Sequence, residues 1–334
     1  MSKPPIAVVG AGIVGLWQAY ALAHAGHRVR LVEQSSEPFA RSSSRWAAAM
    51  IAPECEAEGA PLVVRDLGRE SVALWRAAYP GTVANGTLVV APARDASDLA
   101  RFAKMTERHD VVDAQRVAAL EPDLAGRFER GLFFPDEAHV GAAEALGWLL
   151  SEVRALGVEV EFGRPFEQRG EDVVIDCRGM AARHDLPSLR GVRGERIVIQ
   201  SRDIALSRPV RLLHPRQPVY VVPQGDGRFV VGASVIERED GGPMTLKSAL
   251  DLLGSAYALH PAFGEAAILD MGAGVRPAFP DNVPRIIVED GGSTIRVNGV
   301  YRHGFLLAPI LAQAVAKFLS NGRREGPLFD AADC

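Results

Sequence analysis

The sequence predicts an α/β protein in which a Rossmann-type nucleotide-binding domain is discontinuous along the chain and carries an inserted β-rich α+β domain. Three observations predict it: a strand–glycine turn–helix–strand unit at the N-terminus, a strand-rich middle, and a return to strand–turn–helix texture near the C-terminus. With 334 residues the chain can bury one large core or two modest ones. Composition is ordinary for a globular protein, 48% hydrophobic and 23% charged. The net charge of −4 arises from 37 basic and 41 acidic residues without a long block of one sign. This lacks the electrostatic footprint of a nucleic-acid or membrane-surface binder. The cysteines, Cys55, Cys177 and Cys334, show neither CxxC nor paired spacing, so a disulfide framework is not expected and a reducing cytoplasm fits.

Taken in order, Ile6–Val9 reads as a short buried strand, Ile13 to Gly26 as a helix, and Arg28 to Glu33 as a second strand. The apolar run from Ile6 to Ala25 is broken by Gly10, Gly12 and Gly15 and interrupted by Gln18 and His24, so it is not read as a signal or anchor. No other stretch is expected to reach transmembrane length. Arg41 to Met50 reads as a Ser- and Ala-rich loop entering a helix, and Leu62 to Tyr79 has helical apolar spacing. Gly86–Val90 and Gly131–Phe134 read as strands bounded by turn residues. Ala142 to Leu156 is an amphipathic helix, followed by strands at Val158–Phe162 and Val173–Asp176. Strands at Arg196–Ile199, Val219–Pro223 and Phe229–Gly232 follow, then a helix near Leu246 to Ala258, a strand at Thr294–Asn298 and a helix at Leu306 to Leu319. The expected division is a nucleotide domain of residues 1–78, 140–190 and 270–334, with a second domain of residues 79–139 and 191–269.

Gly10-Ala11-Gly12-Ile13-Val14-Gly15 is a GxGxxG placed between a strand and a helix, with Glu33 closing the second strand. Gly10 permits the tight turn, Gly12 lets the backbone approach a pyrophosphate, and Gly15 allows close helix–strand packing. The helix N-terminus stabilises negative charge. Glu33 would accept from ribose hydroxyls and repel a 2′-phosphate, which favours FAD or NAD over NADP. Asn298 through Pro309 places a turn before a final helix. An ordinary NAD dehydrogenase seldom returns to its first domain there, whereas a second helix N-terminus suits the negative charge of a reduced flavin. FAD is therefore the expected cofactor. Among the histidines and cysteines there is no metal-ligand spacing, and no GxSxG, Walker A or HExxH pattern occurs.

Six segments in order carry a family resemblance: the N-terminal fingerprint; Ser44-Arg45-Trp46-Ala47-Ala48-Ala49-Met50-Ile51-Ala52-Pro53 followed by Cys55-Glu56; Asp176-Cys177-Arg178-Gly179; Tyr220–Pro223 with Val231-Gly232-Ala233; Gly274-Val275-Arg276-Pro277 with Pro280–Pro284; and Tyr301-Arg302-His303-Gly304 through Pro309. Over nearly its whole length the chain resembles the D-amino-acid-oxidase-like flavoproteins, and within them the thiazole-pathway glycine oxidases. One departure stands out: the loop that reads Ala-Gly-Gly-Met in close relatives reads Ala47-Ala48-Ala49-Met50 here. An alanine there would narrow access beside the flavin.

The resemblance implies that Arg276 grips the substrate carboxylate, a role suited to a planar guanidinium that makes two parallel bonds. It places Tyr220 on the same carboxylate and Arg302 near substrate and flavin. The expected flavin site comprises Gly10, Gly12, Ile13, Val14, Gly15, Glu33, Gln34, Ser43, Ser44, Ala48, Ala49, Met50, Phe166, Gly179, Tyr301, Arg302, His303, Gly304, Phe305 and Leu306. His303 is assigned no catalytic role. The implied reaction is oxidation of a small amino acid, glycine first, by hydride transfer from Cα to the flavin, with dioxygen as acceptor, giving hydrogen peroxide and an imino acid for thiamin thiazole assembly. A D-amino-acid, sarcosine or hydroxyproline oxidase or dehydrogenase is the alternative, and a non-catalytic flavoprotein the third reading. Partners are then a small amino acid and dioxygen, with a homo-oligomer expected by analogy.

Overall fold

A computed structural model describes residues 5–214 and 218–330; Cys334 lies outside them. Its first sheet has six strands in the order Arg285–Glu289, Thr294–Asn298, Val173–Asp176, Ile6–Val9, Val29–Glu33 and Glu159–Phe162. All neighbours run parallel except the first pair, which is a hairpin. The central strand Ile6–Val9 is covered on both faces, which explains a continuous apolar run in place of alternation. Helices Ile13–His24, Leu62–Ala78, Ala142–Ala155 and Gly304–Asn321 pack with this sheet into the largest core. Trp75 ties three of these helices: its ring meets Trp17 edge-on at 4.9 Å, and its Nε1 donates to the Phe305 carbonyl at 2.7 Å.

The second sheet has eight strands: Ala267–Ala278, Arg190–Gln200, Arg228–Gly232, Val219–Pro223, Val210–Leu212, Thr87–Val90, Arg130–Phe134 and Asp110–Asp113. Helix Leu246–Leu259 buries Leu252, Ala256 and Leu259 against Ile197, Ile199, Val221 and Val231 on one face. The opposite face carries the residues that alternate with these, Arg196, Val198, Tyr220 and Gly232, because successive side chains of a strand point to opposite sides.

Several expectations are corrected. Arg41–Met50 does not enter a helix but makes one 3₁₀ turn, Ser43–Trp46, and then a two-residue strand, Met50–Ile51, paired with Ala138–His139. Arg276 sits inside a strand absent from the expected elements, Ala267–Ala278, which pairs along Arg190–Gln200. The segment around Gly272 and Gly274 lacks branched alternation and reads as a turn until its partner strand is known. Helix Gly304–Asn321 does reach spanning length, with a hydropathy of 1.3, but half of it is buried against neighbouring helices. Its apolarity belongs to the core.

Candidate active site

At the glycine turn the backbone is shaped by what cannot be there. Gly10 has φ +99°, and a Cβ on it would lie 2.7 Å from the Cys177 carbonyl oxygen. A Cβ on Gly15 would overlap the Gly10 carbonyl, so the helix packs closely under the turn. Glu33 bridges the turn: its carboxylate accepts from the backbone N–H of Ala11 and of Ser35, both at 2.9 Å. Helix Ile13–His24 begins without a side-chain cap of its own, and the Ile13 N–H is met by Ser44 Oγ at 3.1 Å. A cavity of about 560 Å³ opens here, walled by Gly10, Gly12, Ile13, Val14, Glu33, Gln34, Ser43, Ser44, Phe166 and Gly179, together with Arg41, Cys177 and Arg178.

A second cavity of about 740 Å³ continues from the first, sharing Ile13, Ser43, Ser44 and Val300 with it. Its wall holds Trp46, Ala48, Ala49, Met50, Glu56, Arg211, Tyr220, Ser234, Arg276, Tyr301, Arg302, Gly304 and Phe305. Helix Gly304–Asn321 starts on this wall, again without a side-chain cap, so its positive end faces the cavity. The expected Gly15, His303 and Leu306 are the exceptions, lying behind the walls of both cavities. Leu306 packs at Gly68, and His303 is buried with Nδ1 3.3 Å from Glu56.

The charges divide clearly. Arg302 forms a two-point ion pair with Glu56, Nε to Oε2 at 2.8 Å and Nη2 to Oε1 at 3.1 Å. Desolvation pushes the Glu56 carboxyl up, but Arg302 and His303 outweigh it and hold it at about 2. Burial lowers His303 to about 4, so its imidazole is neutral near pH 7. Arg211 is paired with Glu58. Arg276 is different: among the described residues its guanidinium makes one hydrogen bond, from Nη1 to the Ser234 carbonyl at 3.2 Å, and no ion pair. Burial raises the Tyr220 hydroxyl, which therefore stays protonated and able to donate. The glycine-to-alanine departure also has a shape. Ala49 adopts φ +55°, a left-handed conformation natural to glycine, and its carbonyl is held by the Val140 N–H at 3.1 Å.

The sequence profile of the FAD dependent oxidoreductase family matches residues 5–318, almost the whole described chain. The chain belongs to that family. A Rhizobium etli protein named as the thiamine biosynthesis oxidoreductase ThiO is 49% identical over 316 residues, covering 94% of this chain and 96% of its own. The glycine oxidase of Pseudomonas aeruginosa is 26% identical, covering 98% and 97%. The crystal structure of glycine oxidase from Bacillus cereus superposes with a TM-score of 0.83 at 23% identity, covering 98% and 99%.

The cavities of this FAD-dependent oxidoreductase fit the cofactor its family implies. Gly12 leaves bare backbone where a Cβ would crowd Ser42 and Ser44 on the cavity wall, and Glu33 offers a carboxylate to ribose hydroxyls. Two helix N-termini, neither capped by its own N-cap side chain, line one continuous space, as an elongated anionic dinucleotide requires. Glu56 and Ser234 were not assigned a role in sequence. Glu56 lies 246 residues from Arg302, so no spacing links them, although it falls within one of the segments that carry the family resemblance.

Proposed function

We propose that this chain oxidises a small amino acid, glycine first, binding its carboxylate at Arg276. The observation that carries this reading is a partly buried guanidinium without an ion pair among the described residues, on a wall where Arg302 and Arg211 already face carboxylates and the other unpaired arginine, Arg238, is solvent-exposed. A ligand carboxylate is the missing counter-ion. Arg276 would take it in two parallel charge-assisted bonds, and the Tyr220 hydroxyl would donate a further one, fixing the direction of Cα–H. FAD held in the joined cavities would supply the two-electron acceptor for the Cα–H bond, with dioxygen as the final acceptor.

Among the described residues the wall holds no group suited to accept a proton from the substrate amine. Glu56 is held at about 2 and engaged by Arg302, and the remaining ionisable wall residues are arginines, a lysine and tyrosines. The amine must therefore be neutral when it reacts, and its proton leaves to solvent before the Cα–H bond breaks. Similarity to the Rhizobium etli protein supports routing the imino product into thiamin thiazole assembly. The two described cysteines are free and buried, which supports a reducing cytoplasm as its location.

The test is an anaerobic titration of the yellow protein with glycine, sarcosine, D-alanine and D-proline, followed by air. Bleaching by glycine, with recovery and peroxide release in air, is expected. Bleaching only by the bulkier compounds moves the assignment to a D-amino-acid or imino-acid enzyme, and failure to recover in air moves it to a dehydrogenase.

A further inference from the structure

The cavity-facing side of the second sheet alternates large side chains with glycines in register. One row runs Tyr220, Gly232, Arg196, Gly272 across four adjacent strands. In the next row Gly194 pairs with Gly274, and in the row beyond Val192 pairs with Arg276. Each glycine lies under a large group. A Cβ on Gly232 would come within 2.8 Å of the Tyr220 ring, and one on Gly274 within 2.9 Å of the Trp46 indole. A Cβ on Gly194 would overlap the Arg276 guanidinium, and its three nearest heavy atoms all belong to that group. Gly194 has no positive φ, so its backbone would suit any residue. Its need for glycine is purely the space above it.

We propose that Gly194 is a positioning residue: the space left by its missing side chain seats the Arg276 guanidinium flat on the sheet and so sets where the substrate carboxylate is held. The proposal rests on the reading of Arg276 given above. Among the described residues the guanidinium is otherwise secured by one hydrogen bond, to the Ser234 carbonyl. A methyl at position 194 would lift it by an ångström or more, and a misplacement of about 1 Å at a reacting centre costs roughly a hundredfold.

The experiment compares Gly194→Ala, Arg276→Lys and the double variant as FAD-loaded proteins. It reads glycine kinetics and the binding of glycolate, a carboxylate of similar size without an amine, by its perturbation of the flavin spectrum. Gly194→Ala is expected to keep a normal flavin spectrum while the glycolate Kd and the glycine KM rise at least tenfold, more than kcat falls. In the Arg276→Lys background the same substitution should add less than threefold, because no guanidinium remains to be displaced. Unchanged glycolate binding in Gly194→Ala, or an equal penalty in both backgrounds, overturns the proposal. If Arg276→Ala weakens glycolate and Gly194→Ala does not, the positioning role alone fails; if Arg276→Ala leaves glycolate binding intact, the carboxylate assignment fails with it. Should Gly194→Ala not fold, pairing it with Arg276→Ala is expected to recover yellow protein, and a pair that remains unfolded also overturns the proposal.

Discussion

Arg276 and Glu56 show how differently two charged residues on one wall are disposed. Glu56 takes a hydrogen bond on Oε1 and a close ion contact on Oε2 from Arg302, so its role is to keep that arginine in place. Arg276 is held by a single carbonyl and keeps its remaining donors. Arg276→Ala should cost about a hundredfold or more in kcat/KM, chiefly through KM, with FAD still bound, since hydrogen bonds to a charged group contribute about 1.5–3 kcal/mol each. Steady-state kinetics beside the visible spectrum checks this, and unchanged turnover removes the carboxylate assignment. The lack of a proton acceptor among the described wall residues makes a second prediction. The rising limb of kcat/KM with pH should move with the amine pKa from one substrate to the next; a limb fixed at one pH for all substrates would reveal a protein base.

At the scale of elements, Glu137 connects the two-residue strand pair to the short helix Pro53–Glu56. Fully buried, it accepts from the Cys55 N–H at 2.7 Å and so anchors the turn that presents Glu56. Burial pushes its carboxyl up to about 7 from an ordinary 4.5. A carboxyl raised on folding contributes stability that is complete below about 4.5 and is lost as pH rises through 7. His303 acts in the opposite sense: lowered to about 4 from 6.5, its contribution is lost as pH falls through that window. Glu137→Gln keeps the acceptor for Cys55 and removes the ionisation. Denaturant melts from pH 4.5 to 8 should therefore show the variant gaining on the parent as pH rises, by a few kcal/mol at most. Parallel curves would mean that Glu137 is not titrating in this range.

At the scale of the molecule, the cavity wall is divided between the two sheets. The glycine turn and the start of the last helix come from the parallel sheet and its helices, whereas Tyr220 and Arg276 come from the large mixed sheet. A cofactor seated in the joined cavities bridges both. Added FAD should raise the melting temperature of the stripped protein by the linkage relation, about 2.7 kcal/mol at a hundredfold excess over Kd. Probes on the two sheets should then melt together in the loaded protein. A melting temperature indifferent to FAD would show that the cavities are not its site.

What could be read in the chain depended on how local the cause was. The sequence by itself determined the GxGxxG turn with Glu33, the strand Ile6–Val9, most helices and the family resemblance, because period, glycine placement and capping act within a few residues. The 12-residue strand Ala267–Ala278 was not legible, since its glycines are explained only by the Trp46 indole lying over them. The apolar last helix was not flagged as span-like either, and only its packing shows that this surface is core. Tertiary structure alone decided that Arg302 is neutralised by Glu56 while Arg276 is left facing the cavity. Pairing between residues hundreds of positions apart depends on which strands become neighbours, and that is settled by burial of two whole sheets rather than by any short run of residues.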